Sequence, residues 1–103
     1  MRIEDLYPGF IRLHILHHAS AGPIFGLWII EELARHGYHL SPGTLYPILH
    51  SLERSGYLTS QRQLANGRSR RVYAITQEGQ SALDTVKVKV RELFSELWED
   101  QNS

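Results

Sequence analysis

The sequence predicts a mainly α fold with a small β-hairpin (α+β). Three observations carry this reading. Apolar residues recur at helical spacing in three short stretches before residue 55. The stretch Ala65-Asn66-Gly67 lies between two β-favouring runs, a hairpin signal. Beyond residue 77, Leu83, Val86, Val90, Leu93 and Leu97 are spaced 3, 4, 3, 4, the rhythm of a seam between two helices. A chain of 103 residues with 42% hydrophobic and 21% charged content suits one small structural domain. We divide it into residues 1–76 and a C-terminal helix over 77–103.

The first helix follows Pro8-Gly9, shows Phe10, Leu13, Leu16 and His17 at helical spacing, and stops at Ser20-Ala21-Gly22-Pro23. The second is expected from Ile24 to His36, with Leu27, Ile30, Leu33 and Ala34 on one face, Glu31, Glu32 and Arg35 elsewhere, and Gly37 just past its end. In the third, Ser41 is the N-cap and Pro42 the first helical residue, and Leu45, Ile48, Leu49 and Leu52 form a stripe ending at Ser55-Gly56. Pro47 inside it cannot donate to the carbonyl of Gly43, so a distortion is expected there rather than a helix end. Strands are expected at 57–64 and 70–75, with Tyr73 in the core, and Thr76 caps the last helix. The tail from Glu99 to Ser103 is expected to fray.

The composition excludes whole classes of function. With no cysteine there is no disulfide, thiolate catalysis or cysteine-held metal. No Gly-x-Ser-x-Gly elbow or phosphate-binding glycine loop is present, so the chain does not read as an enzyme, and no cofactor is expected. The start Met1-Arg2-Ile3-Glu4-Asp5 is acidic where a signal peptide is basic, and no apolar run approaches the ~18 residues of a membrane span, which points to the cytoplasm.

Charge is neutral in sum and segregated in place. Residues 1–53 hold three basic and five acidic groups, 54–77 hold five arginines and no acid, and 78–103 hold three and six. Such a field acts over about a Debye length, roughly 10 Å, so it suits a polyanion at contact range, and double-stranded DNA is the first candidate. Two helices, a third in capped register and a following hairpin are the plan of a winged helix, whose recognition helix enters the major groove while the hairpin touches backbone or minor groove. Here those parts are residues 41–55 and 57–76.

Particular words sharpen the reading: Phe25-Gly26, Leu40-Ser41-Pro42-Gly43-Thr44-Leu45-Tyr46-Pro47-Ile48-Leu49, Leu52-Glu53, Gly56-Tyr57-Leu58, Gly67-Arg68-Ser69-Arg70-Arg71-Val72-Tyr73 and Thr76-Gln77-Glu78-Gly79. Over roughly residues 8–85 the chain resembles the PadR-like transcriptional regulators, in the short branch with a single dimerisation helix. The resemblance implies a homodimeric repressor on a pseudo-palindromic operator, often released by a small molecule or stress signal. The chain departs from the family pattern at Ser69, where proline is frequent, and at Phe25, where tyrosine is common.

Geometry then assigns roles. With the leucine stripe turned inward, the outer side of the third helix shows Thr44, Tyr46, Pro47, His50, Ser51 and Arg54. Ser41 and Thr44 lie at the helix N-terminus, where N–H groups can hold a phosphate. Tyr46 can donate its hydroxyl to phosphate or pack as a half-buried aromatic. His50 and Ser51 are the base-edge readers, Arg54 reaches guanine or backbone, and Arg68, Arg70 and Arg71 surround the hairpin turn. A solvated face is the bland alternative for these arginines, and a protein-binding winged helix the rival function. Phe10, Leu13, Leu83, Val86, Val90, Leu93 and Leu97 are assigned to the homodimer interface; His14, His17 and His18 lie on the outer or the dimer-facing side of the first helix, and on the dimer-facing side their protonation would weaken assembly. Trp28, Phe94 and Trp98 either fill core and interface or line a pocket for an unidentified small-molecule effector. His14 and His18 are four apart, as two imidazoles on one metal would be, but only Glu31, Glu32, His36 and His39 are left to complete a site, and no metal is expected.

Overall fold

The computed structural model describes residues 1–99. A short 3-10 turn, Ile3–Leu6, leads into α1 (Tyr7–Ala21), β1 (Ile24–Phe25), α2 (Gly26–Arg35), α3 (Pro42–Arg54), β2 (Leu58–Ala65), β3 (Arg68–Ile75) and α4 (Gln77–Phe94), and a π-helical turn, Ser95–Glu99, ends the described chain. The expected fraying of the tail concerns residues 100–103, outside the described residues. Among the described residues no helix is long and apolar enough to cross a membrane.

The joints before α3 and after it are built alike. After α2, the Tyr38 N–H bonds the Leu33 carbonyl (2.9 Å) and the Gly37 N–H the Ala34 carbonyl (3.0 Å). After α3, Tyr57 bonds Leu52 (3.0 Å) and Gly56 bonds Glu53 (2.9 Å). Both are Schellman closures, and both need a left-handed residue, which Gly37 (φ 89°) and Gly56 (φ 84°) supply. At the other end of α3 the Ser41 hydroxyl accepts from the Thr44 N–H (3.3 Å). The helix continues through the exposed Pro47, as expected, and buries Leu45, Leu49 and Leu52.

The first two helices turn other faces inward than the spacing suggests. α1 buries Ile11, Ile15, Leu16 and Ala19, while His17 is exposed and Phe10 half-exposed. α2 starts at Gly26, two residues later than expected, and buries Gly26, Ile29, Glu32 and Leu33, leaving Leu27 68% exposed. The cause is tertiary. Ile24 and Phe25 are taken up as β1, pairing with Tyr73 and Val72, and the Tyr46 ring and hydroxyl occupy the space where a side chain at residue 26 would project. The helix is thereby pinned with its glycine inward.

The sheet is antiparallel in the order β1-β3-β2, one strand more than the expected hairpin. β2 and β3 pair as far as Ala65 with Arg68, so only Asn66 (φ 55°) and Gly67 (φ 75°) form the loop. Two successive positive φ values define the type I′ turn, which lets pairing run to the tip and makes both strands reach nearer the turn than expected. Tyr73 is fully buried with Ile15, Ile29, Leu33, Leu45, Leu49 and Leu58.

Thr76 starts α4 as expected: its hydroxyl accepts from the Gly79 N–H (2.9 Å) and donates to the Gly56 carbonyl. A Cβ at Gly79 would strike the Tyr57 carbonyl oxygen and stand 2.8 Å from Ile75 Cγ1, so glycine permits this close crossing. Leu83 is only 3% exposed and belongs to the core of its own chain. It also lines the inner end of an open groove between α1 and α4.

Candidate nucleic-acid interface

The exposed side of α3 and the hairpin lie next to one another because β2 follows α3 through a single Schellman turn and packs against it. Ser41, Thr44, Pro47, His50 and Arg54 are exposed on α3, and Ser51 is half-buried. Tyr46 is also half-buried, its ring and hydroxyl against Gly26 and 6.5 Å from the His50 ring between centroids. Tyr46 thus packs as a half-buried aromatic against Gly26 while bordering the outer face of α3.

The arginines are held on two faces of the hairpin. Arg71 Nη1 donates to Ser60 Oγ (3.0 Å), which donates to Glu53 Oε2 (2.8 Å) on α3. This relay fastens the hairpin to the last turn of α3 without neutralising Arg71 by a direct ion pair. On the opposite face, the Arg70 guanidinium lies 3.9 Å over the Phe25 ring, a cation–π contact that holds the side chain and keeps its charge. Phe25 therefore serves as a platform, a role that needs the aromatic face and not a hydroxyl. Arg62 Nη1 reaches Ser69 Oγ (3.5 Å), and Arg68 is exposed beside the turn. Among the described residues none of Arg54, Arg62, Arg68, Arg70 or Arg71 forms an ion pair. Five positive charges on a capped helix and an adjoining hairpin, three of them held in place by side-chain contacts and none neutralised by an ion pair among the described residues, can bind phosphates and reach base edges.

Three comparisons agree with this geometry. Residues 15–85 match the transcriptional regulator PadR-like family. The transcriptional regulator Rv3488 of Mycobacterium tuberculosis is 49% identical over 87 residues, 84% of this chain and 81% of that protein.

The chain belongs to the PadR-like family of transcriptional regulators.

Among solved structures, the PadR family transcriptional regulator of Eggerthella lenta superposes with a TM-score of 0.81 at 27% identity, covering 94% of this chain and 86% of that one. Bacillus subtilis PadR, solved in complex with operator DNA, has the same fold (TM-score 0.69, 18% identity, 77% of this chain and 47% of that one).

Two features of this PadR-like chain lie away from α3. Between α1 and α4 runs an open groove lined by Phe10, Leu13, His17, Val90 and Phe94. Beyond Leu83, α4 exposes Val86, Val90 and Leu93, and the π-helical turn after it exposes Leu97 and Trp98. The second feature is a stack of imidazoles: His14 lies 4.7 Å from the His36 ring and 6.1 Å from that of His18, and Trp28 meets His18 edge-on at 5.4 Å. Burial, reinforced by the neighbouring imidazoles, lowers the pKa of both His14 and His18. Below them Glu32, 8% exposed, accepts both 2.6 Å and 2.8 Å hydrogen bonds from Arg35. Glu32, one of the candidate metal groups, is buried on α2 with its carboxylate near both Arg35 and His36.

Proposed function

We propose that this regulator binds an operator in double-stranded DNA as a homodimer in the cytoplasm and represses transcription there. In this reading α3 enters the major groove, His50 and Ser51 face base edges, and Arg54 reaches guanine or backbone. Ser41 and Thr44 offer the α3 N-terminus to a phosphate. Arg68, Arg70 and Arg71 hold the adjoining backbone or minor groove. The observation that carries it is the set of five unneutralised arginines around the exposed face of α3. The Bacillus subtilis PadR solved in complex with operator DNA, which has this fold, supports operator DNA as the partner.

Homodimerisation is supported by the apolar surface left over. Phe10 and the half-buried Leu13 of α1, with Val86, Val90 and Leu93 of α4 and Leu97 of the turn after it, leave a stripe that a second copy would cover by laying its own α4 alongside. A two-fold axis there would present two α3 helices to successive major grooves, which lie about 34 Å apart.

Hydroxyl-radical footprinting of the region upstream of the protein's own coding sequence tests the reading. Two protected half-sites about one helical turn apart are expected. Protection of a single half-site would overturn the dimeric reading, and no protection would overturn DNA binding at this region.

A further inference from the structure

We propose that His14, His18 and His36 form a binding site for a divalent first-row transition metal of the zinc class. His14 and His18 stand one turn apart on α1, and His36 is brought to them by the C-cap of α2. One ligand atom from each lies within 4.8 Å of the others. Tetrahedral zinc with nitrogens at about 2.05 Å separates its ligand atoms by about 3.3 Å, so modest side-chain rotations close the site.

A second observation points to a ligand. His18 Nε2 is buried with no hydrogen-bond partner. A polar atom withdrawn from water and left unpaired costs stability, and a metal ion would satisfy it. Glu32 Oε2 lies 3.7 Å from His36 Nε2, which puts a carboxylate, itself paired with Arg35, beside the site. Three imidazoles with little oxygen favour Zn²⁺, Co²⁺ or Ni²⁺ over Mg²⁺ or Ca²⁺. The side chain of His36 is 43% exposed, which gives the ion a route in, and the fourth position is left to water.

The ion would tie α1 to α2 at the residue before Gly37, where the chain turns towards α3. His14 also lines the α1–α4 groove, so the same ion sits beside the proposed dimer face. Occupancy would thereby alter operator affinity, a consequence that rests on the DNA-binding reading.

The site is tested first without DNA, by titrating tag-free, full-length protein with Co²⁺. The strong visible bands of four-coordinate cobalt are expected to saturate at one ion per chain and to be bleached by equimolar Zn²⁺. His18→Ala and His36→Ala should each weaken binding by about 100-fold or more, exceeding the loss of an outer-shell partner, while His39→Ala should leave it unchanged. His36→Ala lies on an exposed cap, so its circular dichroism and melting curve separate loss of a ligand from loss of fold. Absence of the cobalt bands, or undiminished binding by folded His36→Ala, overturns the site. In a second arm, Zn²⁺ should change operator affinity of the native protein at least about 5-fold and leave His36→Ala unaffected. Unchanged affinity with the site filled would overturn the coupling.

Discussion

α3 and α4 carry the same signal and put it to different use. Both begin at a hydroxyl cap and both show an apolar stripe at helical spacing. In α3 the stripe is consumed within the chain, with Leu45 and Leu49 fully buried. In α4 only Gly79 and Leu83 are buried, and everything apolar after them stays exposed. The difference is one of position: α3 crosses the sheet and α2, whereas α4 leaves the domain after two turns. Apolar periodicity therefore tells which face of a helix seeks cover, and the fold decides whether that cover is its own chain or another.

This contrast gives graded predictions. Leu49→Ala removes a fully buried side chain and should lower the unfolding free energy by about 2–5 kcal/mol in urea titrations. Val90→Glu, at an exposed position on α4, should change the urea midpoint of the monomer little, yet cost about 2 kcal/mol or more of dimerisation. Sedimentation equilibrium would read the second effect, and a dimer that survived would remove α4 from the interface. Gly79→Ala tests where the two regions meet. Its methyl would strike the Tyr57 carbonyl, and a loss of about 1–3 kcal/mol is expected in thermal melts.

Arg70→Ala should leave the fold intact and reduce the salt slope of DNA binding by about one unit, as one phosphate contact disappears. An unchanged slope would mean that Arg70 serves only the Phe25 ring. The smallest effect is in pH. His14 and His18 have folded pKa values below the unfolded value of about 6.5. The unfolded chain therefore binds more protons in that window, so metal-free protein should lose stability as pH falls through it. Groups facing them are His17, His36, Arg35 and Glu32, and only Glu32 opposes the shift. The double variant His14→Gln/His18→Gln should show a flatter profile of melting temperature against pH.

Features decided by neighbours in the chain were legible beforehand. The Ser41 and Thr76 caps, Gly37, the Asn66-Gly67 turn and the α3 stripe each depend on a few adjacent residues, and each stands where expected. What depended on distant partners was hidden. Nothing near Ile24 announces that Tyr73 will pair with it, so the helical reading starts two residues early and includes the exposed Leu27 on its apolar face. For Tyr46 the residues leave a phosphate donor and a half-buried aromatic both open, because Gly26, against which it packs, lies on another helix. His36 was named beside His14 and His18, but only the α1–α2 crossing brings it to them and leaves His39 out of that group. At the candidate interface, residue types and exposure were readable, whereas the relay from Arg71 through Ser60 to Glu53 required the register of β2 on β3.

The central claim is that α3 and the arginine-bearing hairpin form a DNA-binding surface. Its most direct test is a fluorescence anisotropy titration of the native protein against its own upstream promoter and a scrambled duplex, at about 50 and about 200 mM salt. The account predicts tighter binding to the promoter, one dimer per site, and a fall of roughly 10³-fold or more between the two salts if about six phosphates are contacted. Failure to bind either duplex at the lower salt, or binding indifferent to salt, would contradict it.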